Sequence, residues 1–288
     1  MEIDRKELKR LARERMKQTQ PSFWLVALVF LSLTSLLPAV LDLLPLPTDA
    51  ITGQLFLSIL IALFVTVIRF GYKLWSLWTF RQLDPGMYSL MQGFSVAGRV
   101  LLLELGIMTR TFGWTILLSF ALTLPLSFAI MALPFFFPLL VTILYVAIWV
   151  IQLRYALAHY LLADRPDDGP ELAIRRSVEL MRDWRWELFK LDFSFLGWEL
   201  LALLPALAIM FAFLASGGLL QSITAGNWEA MAELVNRVVD NSMVIFLTSL
   251  APIPVLLWLE PYRGVTRAGF YDARLRLHRS NHTETPPV

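Results

Sequence analysis

The chain has 288 residues, of which 57% are apolar and 17% are charged, and its formal net charge is +2. Soluble domains usually have about a quarter of their residues charged, and the mean hydropathy here is +0.61, which argues against a soluble fold. Because the chain contains no cysteine, disulfides, thiolate metal sites and cysteine nucleophiles are excluded. The charges occur in blocks separated by apolar windows of about 20 residues, the length that crosses a hydrocarbon core of roughly 30 Å. The composition therefore predicts an all-α, polytopic membrane helix bundle with about six transmembrane helices and amphipathic interfacial helices.

Residues 3–17 are predicted to form a short basic helix before the first apolar segment. Asp4 followed by Glu7 is typical of a capping box, and apolar side chains recur along one side of the helix. Two interpretations fit this segment. It is a positively charged flank that keeps the N-terminus in the cytoplasm, or it is a helix that binds lipid headgroups or a partner.

Six apolar segments are predicted to span the membrane. They cover residues 23–44, 55–75, 112–132, 135–158, 193–215 and 243–259. The first is too long for the apolar region of a signal peptide and no cleavage site follows it, so it is predicted to be a retained span. Residues 81–108 are partly apolar with a three-to-four spacing, which predicts an amphipathic interfacial helix. Residues 1–278 are predicted to form one integral membrane domain, followed by a disordered polar tail at 279–288.

The distribution of basic residues predicts the orientation of these spans. With six spans, 24 of the 25 Lys and Arg residues fall on one side, and Arg237 is the exception. Basic residues in short loops and flanks mark the cytoplasmic side, so both termini are predicted to be cytoplasmic in a bacterial cell membrane. The sequence pI of about 9.0 is then a sign of membrane topology, and no nucleic-acid partner is predicted. The predicted partners are membrane lipids with anionic headgroups at the cytoplasmic face.

The stretch from Asp164 to Leu201 begins as a charged helix and continues into the fifth span with no turn signal between them. Asp168 followed by Glu171 fits a capping box at the start of this helix. The candidate binding residues on it are Arg175, Arg176, Arg182 and Arg185. The helix is predicted either to lie at the inner headgroup boundary near anionic lipid or to pack on other cytoplasmic segments.

Glu199 is the most unusual residue in the apolar segments, because an ionised carboxylate inside a bilayer needs a partner, water or a proton. Counting about 1.5 Å per residue from Leu191 places it roughly 12 Å into the bilayer. Its predicted partners on neighbouring spans are Arg69 and Arg154. The functional hypothesis is a substrate, ion or proton site, and the structural hypothesis is an ion pair or a protonated carboxyl bonded to a backbone carbonyl.

The end of the sixth span carries a second polar and aromatic motif. Glu260 lies three residues before Arg263 and is predicted to be a local anchor at the inner interface. Tyr262, Arg263 and Tyr271 close this helix, and we expect the segment to pack against the helix at 168–189. Such a contact would join the two segments at the cytoplasmic face.

Two long runs resemble the bacterial integral membrane family called "domain of unknown function 975". They are RYALAHYLLADRPDDGPELAIRRSVELMRDWRWELFKLDFSFLGWELL and LWLEPYRGVTRAGFYDA, and the N-terminal RKELKRLARERMK is similar to the family's first helix. His159 stands where the family has Pro, Arg165 where it has Asn, and Asp183-Trp184 where it has Gly-His, which weakens any chemical role for that family histidine. The resemblance implies a multi-pass protein of the bacterial envelope and brings no activity with it.

The sequence shows no nucleophile elbow, phosphate-binding glycine loop or carboxylate cluster on one face. The three His residues, at 159, 278 and 282, share no metal-ligand spacing, so no enzyme, metal or cofactor is predicted. The favoured hypothesis is a non-enzymatic membrane protein that binds partners or lipid through its basic cytoplasmic surface. The alternative is a small transporter or channel that uses Glu199, and a lipid-modifying intramembrane enzyme is the least favoured.

Overall fold

The computed structural model describes residues 4–42, 51–83, 85–132 and 136–283. These residues form helices joined by turns, and no strand occurs among them. The predicted all-α fold class is therefore confirmed. Five helical stretches are long and apolar enough to cross a membrane, or six when a bent pair is counted as one span.

The first helix, α1 (Arg5–Gln18), is amphipathic and begins at the predicted cap. Asp4 Oδ1 accepts hydrogen bonds from the backbone N–H groups of Lys6 (2.8 Å) and Glu7 (3.4 Å), which satisfies two donors that the helix itself leaves open. One side of α1 is buried and carries Leu8, Ala12 and Met16. This apolar stripe packs mainly on the last helix of the chain.

The first two spans follow in order. They are built from α2 (Phe23–Leu31), a π-helical turn (Ser32–Leu36), α3 (Leu37–Asp42) and α4 (Ile51–Arg81). Helix α4 continues six residues beyond the predicted span at 55–75, because Ser76, Leu77, Thr79 and Phe80 are buried against other helices. Packing therefore extends this helix past the part that hydropathy identifies.

The region predicted to hold an interfacial helix at 81–108 and a separate span at 112–132 has a different arrangement. After α5 (Ser89–Gln92) and a 3₁₀ turn (Gly93–Val96), residues Ala97–Ala132 form one helix, α6. No proline occurs between 97 and 124, and isolated glycines inside a helix cost only about 1 kcal/mol each. Nothing therefore ends the helix at the predicted boundary. The predicted turn before the fourth span falls partly on residues 133–135, which lie outside the described residues.

The stretch from Asp164 to Leu201 is not one continuous helix. The elements here are α7 (Phe136–Gln152), a 3₁₀ turn (Leu153–Tyr155), α8 (Ala158–Asp164), a 3₁₀ turn (Pro166–Asp168), α9 (Gly169–Leu180), α10 (Arg185–Phe193) and α11 (Leu196–Ser216). Turns at 181–184 and 194–195 separate α9, α10 and α11. The predicted capping box is also absent, because Asp168 makes no cap hydrogen bond and its carboxylate instead binds the Arg176 guanidinium.

The chain ends with α12 (Leu219–Thr224), α13 (Trp228–Asp240), α14 (Ser242–Leu250) and α15 (Ile253–Thr283). Helices α14 and α15 together form the sixth apolar stretch, with a bend of 46° between them. The bend occurs at Pro252 and Pro254, where missing N–H donors interrupt the helical hydrogen bonds. Helix α15 continues to Thr283, so residues 279–283 of the predicted disordered tail are helical, and residues 284–288 lie outside the described part.

Other parts of the chain leave the apolar surfaces of the spanning helices largely uncovered. In the most apolar window of α11, only 6% of the residues are buried. A soluble helix bundle of this composition would cover such surfaces, whereas lipid is an adequate solvent for them. The fold is therefore a polytopic membrane helix bundle, as predicted.

The packed core lies at the end of the bundle where α1, α4, α8, α9 and α15 meet. Helix α15 reaches α4 closely because two glycines of α15 face it. A Cβ atom added to Gly264 would lie 2.7 Å from Ser76 Oγ, and one added to Gly269 would lie 2.4 Å from the Phe80 ring. Larger residues would separate the two helices.

Candidate functional site

Helix α15 links the other helices through charged residues spaced along its length. In chain order these are Glu260, Arg263, Arg267, Asp272 and Arg274. Their partners on other helices belong to α4, α9, α10 and α11, and Tyr271 of α15 adds a hydrogen bond to α8. We call the end of the bundle that holds these contacts the charged end.

Arg81, the last residue of α4, bridges carboxylates on two other helices. Towards Asp164, Arg81 Nη1 donates to Oδ1 at 2.5 Å and Nη2 donates to Oδ2 at 2.8 Å. Towards Asp272, Arg81 Nη2 and Nε both donate to Oδ1, at 2.7 Å and 3.1 Å respectively. The Tyr271 hydroxyl donates to Asp164 Oδ2 at 2.7 Å. The side chains of Arg81, Asp164 and Asp272 are 26%, 20% and 10% exposed. This Arg81 cluster uses bidentate, charge-assisted bonds to hold α4, α8 and α15 together.

Helix α15 packs against the helix region 168–189, as predicted, but the polar contact is made by Arg274, which lies beyond the expected segment from Glu260 to Tyr271. Arg274 Nε donates to the Leu180 carbonyl oxygen at 2.8 Å, and the Arg274 guanidinium lies 4.9 Å from the centre of the Trp184 ring. About two turns earlier on α15, Arg267 Nε donates to Asp192 Oδ1 at 2.8 Å. The two sequence motifs therefore form one packed unit.

Glu199 pairs with Arg263, so the prediction that it pairs with Arg69 or Arg154 is wrong. Arg263 Nη1 lies 2.6 Å from Glu199 Oε1, and Arg263 Nη2 lies 2.5 Å from Glu260 Oε1. The predicted local pair between Glu260 and Arg263 is therefore present, and Glu199 joins it. The counted depth of Glu199 assumes an unbroken helix from Leu191, whereas α11 begins only at Leu196 and places Glu199 in its first turn.

Arg69 and Arg154 lie elsewhere in the bundle. Arg69 is exposed on α4 and interacts electrostatically with Glu104 on α6. Arg154 lies in the 3₁₀ turn after α7, with its guanidinium 5.8 Å from the centre of the Trp114 ring. The structure therefore does not bring the three intramembrane candidates, Glu199, Arg69 and Arg154, into one site.

The four candidate arginines of α9, α10 and the turn between them divide into two kinds. Arg176 is paired with Asp168, and Arg185 is partly buried, where desolvation and the nearby charge of Arg154 lower its pKa. Arg175 and Arg182 are exposed, and Arg175 lies 3.9 Å from Glu171, which also binds Arg110 at 2.7 Å. Arg175 and Arg182 are thus the two that remain available to an external anion.

The two tyrosines of the closing motif are core residues. Tyr262 is fully buried with its ring edge-on to Phe195 at 5.1 Å, and the Arg13 guanidinium lies 4.9 Å from the centre of the Tyr262 ring. Tyr271 belongs to the Arg81 cluster and stacks on Tyr160 at 5.5 Å. Both tyrosines therefore connect α15 to its neighbours and are poorly placed to meet a large partner.

Helix α1 forms the rim of an open groove of about 420 Å³, which we call the basic groove. It is lined by Lys6, Lys9, Arg10, Arg13, Glu14 and Tyr262. Both acidic residues of α1, Glu7 and Glu14, bind the same residue, Arg10, at 2.6 and 3.3 Å. The other cations of the groove are therefore not neutralised from within α1. Burial, followed by the charges of Arg13 and Arg5, lowers the pKa of Lys9.

A second cavity, of about 270 Å³, lies at the charged end between α4, α6, α7, α8, α10 and α15. We call it the polar cavity, and its basic and acidic lining residues are Lys73, Glu104, His159, Asp192 and Arg267. His159 Nε2 lies 2.9 Å from Glu104 Oε2. Among the described residues, no group of three or more His, Asp or Glu side chains has the arrangement of a metal site.

Lys73 is the member of this cavity that the sequence interpretation passes over. It lies one helical turn after Arg69, which was predicted as a partner of Glu199, whereas Lys73 was predicted only to mark the topology. Two cations inside an otherwise apolar span are costly, and such residues are functional candidates by default. That signal in the sequence could have identified Lys73.

Comparison with known proteins places the chain in a family. A search of the curated proteins and a search of the solved structures each found no match. The sequence matches the family described as "Protein of unknown function (DUF975)" over residues 1–277, which includes the Arg81 cluster, the polar cavity and the basic groove. The chain therefore belongs to this family, as its two long motifs predicted.

Proposed function

We propose that this chain is a non-enzymatic, multi-pass protein of the bacterial cell membrane that binds anionic lipid headgroups at its charged end. In this proposal both termini lie in the cytoplasm, and the basic groove faces the headgroups of the inner leaflet. Anionic lipids give that leaflet a negative surface potential, which attracts clustered Lys and Arg side chains near the membrane.

The observation that carries the proposal is the charge balance of α1. Seven of its residues are basic, and its two acidic residues are both bound to Arg10. Lys6, Arg13 and Lys17 make no ion pair within 4.0 Å among the described residues. Since the apolar stripe of α1 is already buried against the bundle, the helix is held in place, and Lys6, Arg13 and Lys17 are exposed on its surface. A fixed cluster of unpaired cations favours multivalent binding of headgroup phosphates.

The first test is lipid retention. Wild-type protein would be extracted from bacterial membranes with a styrene–maleic acid copolymer, and the ratio of anionic to zwitterionic lipid per protein would be compared with that of bulk membrane. We expect enrichment of anionic lipid that falls in the triple variant Lys6→Gln, Arg13→Gln, Arg175→Gln and falls with added salt.

The matched control is Arg237→Gln, which removes a cation paired with Glu233 at the opposite side of the predicted topology. It should leave the lipid ratio unchanged. Equal enrichment in the triple variant and in the wild type would contradict the proposal, provided that both proteins keep the same melting temperature.

A second candidate function, a small transporter or channel, has one observation in its favour. The polar cavity lies among helices that are long enough to span a membrane, and transport sites are often formed in this way. Glu199 no longer supports this hypothesis, because Arg263 satisfies it together with Glu260. If the protein is a transporter or channel, reconstituted protein should raise the flux of small inorganic anions into dye-loaded vesicles. Flux equal to that of protein-free vesicles would count against it.

A further inference from the structure

In the polar cavity each carboxylate is bonded through one of its oxygens, whereas Lys73 has no hydrogen-bond or ion-pair partner among the described residues. The two carboxylates are engaged in this way, since Glu104 is bonded to His159 at 2.9 Å and Asp192 accepts from Arg267 Nε at 2.8 Å. By contrast, Lys73 Nζ makes no hydrogen bond and no ion pair within 4.0 Å among the described residues. The hydroxyls of Tyr155 and Tyr160, which also line the cavity, have no hydrogen-bond partner in the described part of the chain either.

An ammonium group in this position needs a counterpart. Lys73 is partly buried, and its neighbours on α4, Tyr72 and Leu74, are buried. A lysine inside an apolar bundle is stable in its charged form only with an anion, a set of acceptors or water close to it. Arg267 adds a second cation on the facing helix, and its bond to Asp192 engages only Nε. Two cations with donors to spare therefore line the same cavity.

The position of the cavity points to a membrane-derived ligand. Lys73 lies eight residues before the end of α4, which is about 12 Å along the helix axis. Apolar side chains, among them Ile107, Trp149 and Leu188, also line the cavity. A charged group with an apolar remainder would satisfy both parts of this lining.

We propose that the polar cavity binds a phosphate group, with Lys73 as its main cation and Arg267, Tyr155 and Tyr160 as further donors. Phosphate oxygens accept several hydrogen bonds at once, and charge-assisted bonds of this kind are the strongest that side chains offer. The phosphate comes from a phospholipid headgroup or from free phosphate in solution. This site is separate from the basic groove, so it can hold a ligand whether or not the groove binds the inner leaflet.

The experiment uses full-length protein, stripped of lipid and kept in a maltoside detergent, which contains no phosphate. Titration calorimetry would measure three probes: dihexanoyl-phosphatidylglycerol, inorganic phosphate, and dihexanoylglycerol, which lacks the phosphate. Each is tested on the wild type, Lys73→Met, Lys73→Arg and Lys17→Met. Lys17 is exposed on α1 and serves as a matched lysine outside the cavity.

We expect saturable binding of the phospholipid to the wild type and to Lys17→Met, and no binding of dihexanoylglycerol. Lys73→Met should weaken binding about tenfold or more, because a charge-assisted hydrogen bond is lost, and Lys73→Arg should retain most of it. Saturable binding of inorganic phosphate with the same dependence on Lys73 would identify free phosphate as the source and would also support the site. Failure of both phosphate probes to bind, or equal binding to Lys73→Met, would overturn the proposal.

Tyr155→Phe keeps the test informative if Lys73→Met does not fold. It removes one hydroxyl from the cavity and preserves the ring, so the protein should keep its melting temperature while its affinity for the phosphate probe falls several-fold. Unchanged affinity in this variant would contradict the assigned donor set.

Discussion

Replacing Arg81 with methionine would remove the cation that binds two carboxylates at the centre of the charged end. Methionine preserves much of the side-chain volume, so the main loss is electrostatic. The variant leaves Asp164 and Asp272, which are 20% and 10% exposed, beside each other without their shared partner. Breaking a buried ion pair by removing one member typically costs about 3–5 kcal/mol, because the remaining charge is uncompensated. We expect the free energy of unfolding to fall by that amount.

The assay is thermal unfolding of purified protein in a mild detergent, followed by intrinsic fluorescence. A loss of this size corresponds to a fall in melting temperature on the order of 10 °C for a chain of this length. Arg99→Met is the matched control, since Arg99 also pairs with an aspartate on another segment at 3.1 Å, but that residue, Asp167, is 97% exposed. Exposed pairs contribute little, so the control should melt almost as the wild type does. Equal melting temperatures for the two variants would refute the structural role assigned to the Arg81 cluster.

Two further predictions concern helix packing and topology. Gly71→Ala should destabilise the protein by about 1–3 kcal/mol, because the added Cβ atom would lie 2.2 Å from the Leu90 carbonyl oxygen. Gly98→Ala is the control, since a Cβ atom added there would have no neighbouring atom within 4 Å. This variant should be neutral or slightly stabilising in the same unfolding assay. For topology, single cysteines in this cysteine-free chain would be labelled in intact cells with a membrane-impermeant maleimide. Trp228→Cys on α13 should react and Lys17→Cys should not, and the reverse pattern would contradict the orientation predicted from the basic residues.

Glu199 illustrates the limit of counting along a sequence. Its residue type correctly indicates that it needs a partner, because an isolated carboxylate in an apolar segment is unfavourable. The identity of that partner depends on where α11 begins and on the bend of 46° before α15. Neither follows from hydropathy, and the predicted pair with Arg69 or Arg154 is replaced by an ion pair with Arg263, which Glu199 shares with Glu260.

The properties that the sequence alone determines here are those that depend on neighbouring residues. Apolar windows of spanning length, the cap at Asp4, the pair between Glu260 and Arg263, and the family motifs can each be recognised locally. The contact between α15 and the region 168–189 was also predictable, because both motifs carry polar and aromatic residues at the same predicted face of the membrane.

Only the tertiary structure decides which distant residues meet. The Arg81 cluster joins positions 81, 164 and 272, and the polar cavity requires α4, α6, α7, α8, α10 and α15 to converge around Lys73. In a membrane the hydrophobic effect places the helices in the bilayer but does not choose their neighbours, since lipid and apolar side chains are equivalent solvents. Close packing at Gly264 and Gly269 and the long-range ion pairs of α15 make that choice, and the sequence pattern does not reveal either.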